Sequence, residues 1–119
     1  MPDPVVVPGF DLSRWEKALE DEAGRREAQR LQVLSQAREK IAAYFQGRRV
    51  RAVYLTGSLT RAGQFYDFSD VDIAVAGLEE DYFAALAALE DLLDRQVELI
   101  ELESCPFGWV IREKGIRIV

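Results

Sequence analysis

The apolar positions of the chain change period near residue 47, which divides it into a helical first part and a mixed second part. Ser13 and Glu16 fit a capping box, and apolar residues then recur at helical spacing: Leu12, Trp15 and Leu19, followed by Leu31, Leu34, Ala37, Ile41, Tyr44 and Phe45. Between the two stripes, residues 21–27 are polar all round and include Gly24, which costs about 1 kcal/mol in a helix relative to alanine. The reading is a bend, a break or a solvent-crossing bridge there, with Gly47 as the C-cap. An unbroken helix over residues 13–46 would be about 50 Å long, more than a domain of this size covers. Its first half therefore either packs on another subunit, with Trp15 and Leu19 as anchors, or folds back onto its own core. Prolines at 2, 4 and 8 predict an extended lead-in.

Beyond Gly47 the pattern becomes extended. Strands are predicted at 50–56, 71–76, 97–102 and 116–119, each rich in Val, Ile or Leu. A helix is predicted at 79–95 with Phe83, Leu86, Leu89 and Leu93 on one face, its acids at 79, 80 and 81 in the first turn and Arg95 at the end. Short helices are expected after Gly57 and between Pro106 and Lys114. There is no repeat and no linker, so residues 1–119 read as one α+β domain: a helical segment at 1–47 and an α/β core at 48–119.

Composition narrows the chemistry. With 119 residues the chain can bury about two-thirds of its unfolded surface. It has no histidine and one cysteine, Cys105, which excludes Ser-His and Cys-His catalysis, His-ligated zinc and paired-cysteine metal sites within one chain. A lone cysteine and the lack of an apolar leader predict a cytoplasmic protein, and no segment is long and apolar enough for a membrane. Cys105 reads as a buried structural thiol, and Trp15 and Trp109 as packing residues. Residues 1–49 carry nine Lys/Arg against eight Asp/Glu, whereas residues 50–119 carry six against thirteen. So acidic a core repels a phosphate backbone, and no direct nucleic-acid binding is expected.

Two short motifs carry the candidate chemistry. Gly57-Ser58 ends the first predicted strand, where backbone N–H groups and the Ser58 hydroxyl can take a phosphate that the absent Cβ of Gly57 lets close. Asp70-Val71-Asp72 opens the second strand; alternation puts both carboxylates on one face, where their repulsion lowers β-stability unless a hard cation such as Mg²⁺ offsets it. In the competing reading Gly57-Ser58 is an ordinary turn, Asp70 caps a turn and only Asp72 lies in the strand.

In order and separation, the two motifs resemble the signature of the DNA polymerase β-like nucleotidyltransferase superfamily. The compact form resembles the minimal nucleotidyltransferases that are antitoxin partners of HEPN-domain toxins. The resemblance covers residues 40–119. It implies a polymerase β palm-like fold, a mixed sheet with helices on one face and a long N-terminal helix. It further implies that Gly57 and Ser58 bind the nucleotide triphosphate and that Asp70 and Asp72 bind metal. Val97-Glu98-Leu99 stands at the place of the third acid, which makes Glu98 a metal ligand and catalytic base. Glu101 is an alternative, but alternation puts it on the opposite face from Glu98. Two features depart from the family pattern. Eleven residues separate Ser58 from Asp70, one more than in compact members, and Glu98 replaces the usual aspartate.

The implied reaction is transfer of a nucleotide monophosphate, AMP from ATP, to a hydroxyl of a HEPN-type partner protein, with Mg²⁺ as cofactor and Arg61 assisting Ser58 on the leaving pyrophosphate. The chain is expected in an oligomer, of identical or different subunits. A catalytically impaired binding module that neutralises a partner by contact is the alternative, favoured by Glu98. A metal- or phosphate-binding domain with no protein partner is a third reading.

Overall fold

In the computed structural model, which describes residues 12–119, the chain runs α1 (Leu12–Phe45), β1 (Ala52–Thr56), a 3₁₀ turn (Gly57–Thr60), β2 (Val71–Ala76), α2 (Tyr82–Leu93), β3 (Val97–Glu101), a second 3₁₀ turn (Leu102–Ser104), α3 (Gly108–Lys114) and β4 (Ile116–Arg117). The lead-in expected at the prolines lies outside the described residues. The four strands form one mixed sheet in the order β3-β2-β1-β4. β1 is antiparallel to both β2 and β4, and β2 is parallel to β3 because α2 returns the chain between them.

Strand alternation sorts the sheet into two faces. Val53, Leu55, Val71, Ile73, Val75, Val97 and Leu99 pack with Ala37, Ile41 and Phe45 of α1 and Ala85 and Leu89 of α2. The other face presents Ala52, Tyr54, Ala74 and Ala76, small except for the tyrosine, and it is covered in part by Leu102 and by Ile111 of α3. The two long helices thus share one face, as expected, and the short α3 sits on the other. The site lies on this second, thinly covered face.

α1 corrects the expectation of a break. It is one unbroken helix of 34 residues, with Ser13 in its first described turn. Gly24 is carried by helix-favouring neighbours and by an exposed Arg25–Glu22 ion pair at 2.7 Å. Only the second half reaches the core, so residues 21–25 run out into solvent, while Glu27 still touches the loop at Gly63. Trp15 is 54% exposed and Leu19 52%, so the helix does not fold back. Leu31, predicted to be apolar-face, is also exposed. Gly47, at φ +78°, closes the helix as expected.

Other boundaries move by a few residues. α2 starts at residue 82 because the Asp81 carboxylate accepts a hydrogen bond from the Phe83 N–H at 2.9 Å, and it ends at Asp94, in the left-handed region at φ 51°. Phe83 faces solvent, and the core-facing residues are Ala85, Leu86, Leu89, Leu93 and Tyr82, whose hydroxyl donates to the Leu99 carbonyl at 2.6 Å. The strands predicted at 50–56, 97–102 and 116–119 shorten to 52–56, 97–101 and 116–117. Cys105 is half-buried against the second face, and Trp109 is 69% exposed, so neither tryptophan is a packing residue. No helix of the described residues is long and apolar enough to cross a membrane.

Candidate active site

The site grows out of the register of three adjacent strands. Thr56, the last residue of β1, pairs with Asp72 of β2, and Asp72 pairs in turn with Glu98 of β3. All three fall in phase with Tyr54 and Ala74, on the face away from the long helices. Strand register alone therefore brings Asp72 and Glu98 side by side at the end of the sheet where β1 stops.

At that end the chain turns sharply. Gly57 has φ +75°, and a Cβ built on it would lie 1.9 Å from Oδ2 of Asp72. Glycine is thus required both for the left-handed backbone and because the Asp72 carboxylate occupies the space of its side chain. The turn is a four-residue 3₁₀ segment, too short to carry much of a helix dipole, and is tied by Thr60 Oγ1 donating to the Gly57 carbonyl at 2.8 Å. Its apolar residue, Leu59, is fully buried and fixes the turn to the core. Ser58 is half-buried beside it.

Asp70 immediately precedes β2 and is exposed, so only Asp72 lies in the strand itself. The loop that delivers Asp70 is anchored at both ends of its second half. Phe65 is buried in the core under the Arg95 guanidinium, 4.8 Å from its ring centroid. Arg95 also donates to the carbonyls of Ser69 at 3.1 Å and Asp67 at 3.3 Å. Arg95 therefore lies past the end of α2, holding the loop instead of completing the helix.

The electrostatics single out Asp72. Burial pushes its carboxyl up to about 6, with the neighbouring Glu98 and then Asp70 adding to the effect, and Arg61 acting in the opposite sense. Glu98 is its register partner on β3. A protonated Asp72 can donate to Glu98, whereas two ionised carboxylates there repel each other. The donor set is all oxygen, and the cost of ionising Asp72 is what a hard divalent cation relieves, so the residues fit Mg²⁺. Among the described residues no group of three or more acidic, histidine or cysteine side chains is placed to hold a metal ion by itself. An ion here would complete its shell with water and substrate oxygens, the usual habit of Mg²⁺.

On the other side of the turn opens a cleft of about 490 Å³, lined by Thr56, Thr60, Arg61, Val110, Ile111 and Lys114. Sequence reading named Arg61 but missed Lys114 and the two threonines. Lys114 stands in a short helix whose position over the sheet no local pattern reveals; a basic residue just before Gly115 reads only as a helix end. Glu101, the alternative third acid, is exposed and opposite Val75, three positions along β3 from Glu98.

Comparison with known proteins agrees with this fold. Residues 39–119 match the family model described as polymerase beta, nucleotidyltransferase. No curated protein sequence matches the chain. Among solved structures, a toxin–antitoxin with AMP-PNP is similar at 24% identity and a TM-score of 0.58, covering 69% of this chain and 72% of that one. A tri-AMPylated Shewanella oneidensis HEPN toxin in complex with MNT antitoxin is similar at 21% identity and a TM-score of 0.53, covering 72% and 71%. The toxin–antitoxin MntA-HepT is similar at 23% identity and a TM-score of 0.51, covering 70% and 69%. These likenesses are in fold, and they are to structures of the HEPN/MNT kind that the Gly-Ser and Asp-x-Asp motifs resemble. With a glycine-serine turn pressed onto a strand aspartate and more than half its length matched, the chain belongs to the polymerase β nucleotidyltransferase family.

Proposed function

We propose that the chain is a Mg²⁺-dependent nucleotidyltransferase that moves AMP from ATP to a hydroxyl on a HEPN-type partner protein, acting as its antitoxin in the cytoplasm. The observation that carries the reading is the row Thr56, Asp72, Glu98 across three strands, with Gly57 closed onto the Asp72 carboxylate. The partner and the donor are suggested by what the similar structures contain: AMP-PNP in one and an AMPylated HEPN toxin in another.

In this mechanism Asp70, Asp72 and Glu98 are the residues that would hold the metal. Bound there, Mg²⁺ would neutralise triphosphate charge and polarise the α-phosphorus. Gly57 admits a phosphate close to the backbone, and the Ser58 hydroxyl donates a hydrogen bond to it. Glu98 accepts the proton of the attacking hydroxyl as the new P–O bond forms. The bond from the α-phosphorus to the bridging oxygen breaks, and pyrophosphate leaves past Ser58 and Arg61.

Incubation with α-labelled ATP, Mg²⁺ and the protein encoded beside this one tests the reading. Label is expected on the partner and is expected to disappear with Asp70→Asn and with Asp72→Asn. The second reading, a module that neutralises its partner by contact, is favoured by Glu98. Its extra methylene displaces the third carboxylate by about an ångström, a misplacement that can cost about a hundredfold in rate. Tight partner binding without label, unchanged in both variants, would establish that reading instead.

A further inference from the structure

The apolar stripe that packs α1 on the sheet does not stop where the helix leaves it. At about 3.6 residues per turn, Leu12, Trp15, Leu19 and Ala23 fall within about 80° of one another, and Arg30, Ala37 and Ile41 lie on the same line. The last three are buried, whereas Leu12, Trp15 and Leu19 are each more than half exposed. The stripe thus overhangs the sheet over residues 12–25, a length of about 20 Å. That stretch precedes the family match at 39–119 and belongs to neither apolar cluster of the fold.

The overhang starts beside the candidate active site. At its root Arg30 and Glu27 hold the Leu59 carbonyl and the Gly63 N–H, and the Arg26 guanidinium lies over the Tyr66 ring, 4.5 Å from its centroid. Tyr66 in turn stacks on Phe68, with the ring centroids 5.4 Å apart and the planes at 11°. Phe68 is 83% exposed and stands just ahead of Ser69 and Asp70. A path of apolar and aromatic side chains therefore runs from Trp15 and Leu19 along the helix, over the stacked rings, to a carboxylate of the site.

Spacing and charge specify what fits this surface. Steps of three and four residues, from Leu12 to Trp15 to Leu19, give the narrow seam that takes one other helix. Glu16 and Glu20 flank one side of that seam and make no ion pair among the described residues. Glu22 flanks the other side and is paired with Arg25. Arg14, Lys17 and Arg25 are rooted on the far side of the helix. A second copy of the chain is the wrong occupant. Laid parallel, its helix would run into the sheet under the other half of α1; laid antiparallel, it would set Glu16 and Glu20 against the same acids. We propose that the overhang docks the acceptor protein, through an amphipathic helix whose apolar stripe is flanked by Lys or Arg, and that the Tyr66–Phe68 stack continues this surface to the site. The proposal deepens the nucleotidyl-transfer reading and rests on it only for the partner's role as acceptor.

Calorimetric titration of the full chain with the protein encoded beside it tests the assignment, with label transfer to that protein measured in parallel. Trp15→Ala and Leu19→Ala are each expected to weaken binding about tenfold or more, and to raise the KM for the partner while leaving the KM for ATP unchanged. Glu16→Lys combined with Glu20→Lys is expected to weaken binding about tenfold and to make it less sensitive to salt. Lys17→Glu, on the far side of the helix, is expected to keep the affinity within about twofold. A photoreactive residue in place of Leu19 is expected to couple to the partner. Coupling instead to a second copy or to residues 1–11 of its own chain would overturn the proposal, as would unaltered affinity in both Trp15→Ala and Leu19→Ala or no binding by the wild type. If binding depends on Trp15 and Leu19 while no label reaches the partner, the docking surface stands and the transfer reading fails. Label transfer with an unchanged partner KM in both variants keeps the transfer reading and removes the docking surface.

Discussion

At the scale of single residues, the contact between Gly57 and Asp72 defines the site. Any other residue at position 57 meets the left-handed backbone and the carboxylate at once, because its Cβ would lie 1.9 Å from Oδ2 of Asp72. Gly57→Ala is therefore expected to cost about 2–3 kcal/mol of stability, the sum of the backbone and overpacking penalties. In an Asp72→Ala background the clash with the carboxylate disappears and only a contact at 3.2 Å to the remaining Cβ is left, so the cost should fall to about 1 kcal/mol. Denaturant unfolding of the four proteins in this cycle measures the difference, and equal costs in both backgrounds would show that the two residues do not touch. That Asp72 and Glu98 lie in neighbouring strands was legible in the sequence, because strand patterns are local, whereas Asp70, read as sharing a strand face with Asp72, lies just before β2. That the carboxylate of one motif fills the missing side chain of the other was not legible. It depends on which turn lies over which strand, as does the position of Lys114.

Among the elements, α1 differs most from its sequence pattern, and it also braces the turn. The apolar stripe correctly marked the half of α1 that packs on the sheet. The polar stretch around Gly24 read as an interruption, whereas it is the place where a continuous helix leaves the core. At that place Arg30, 8% exposed, donates to the Leu59 carbonyl at 2.9 Å, and Glu27, which pairs with Arg30 at 2.6 Å, accepts from the Gly63 N–H at 3.1 Å. The clasp holds both ends of the segment that follows Gly57. A buried arginine in a polar stretch has no periodic signature, so only the fold reveals it. Arg30→Ala leaves the Leu59 carbonyl without its partner and is expected to cost about 1–3 kcal/mol. Trp15→Ala, although a larger truncation, removes an exposed ring and should stay within about 0.5 kcal/mol. Chemical denaturation of the two variants compares them, and a larger loss from Trp15→Ala would mean that the N-terminal half of α1 is covered in solution.

For the whole molecule, the balance of carboxylates determines how stability responds to pH and to metal. The formal net charge is −6, and the acids pull in two directions. Arginine or backbone partners hold Glu22, Glu27 and Glu103 below the usual carboxylate range, so their contributions are lost as pH falls. Asp72 behaves in the opposite way: burial, then Glu98 and Asp70, raise it from 3.8 to about 6. Between those values the folded chain holds a proton that the unfolded chain has released. Its contribution is thus fully present below the unfolded value and is lost as pH rises through the folded one. Subtracting the melting curve of Asp72→Asn from that of the wild type cancels the other acids and isolates this group. Without divalent ions, the wild type is expected to gain stability relative to Asp72→Asn as pH falls from about 7.5 to about 5. A cation that binds the ionised pair must compete with this proton. Millimolar Mg²⁺ is therefore expected to raise the wild-type melting temperature at about pH 7.5, to raise it much less at about pH 5, and to leave Asp72→Asn nearly unchanged at both. Equal stabilisation of wild type and variant by Mg²⁺ would place the ion elsewhere on this acidic surface and remove Asp72 from its ligands.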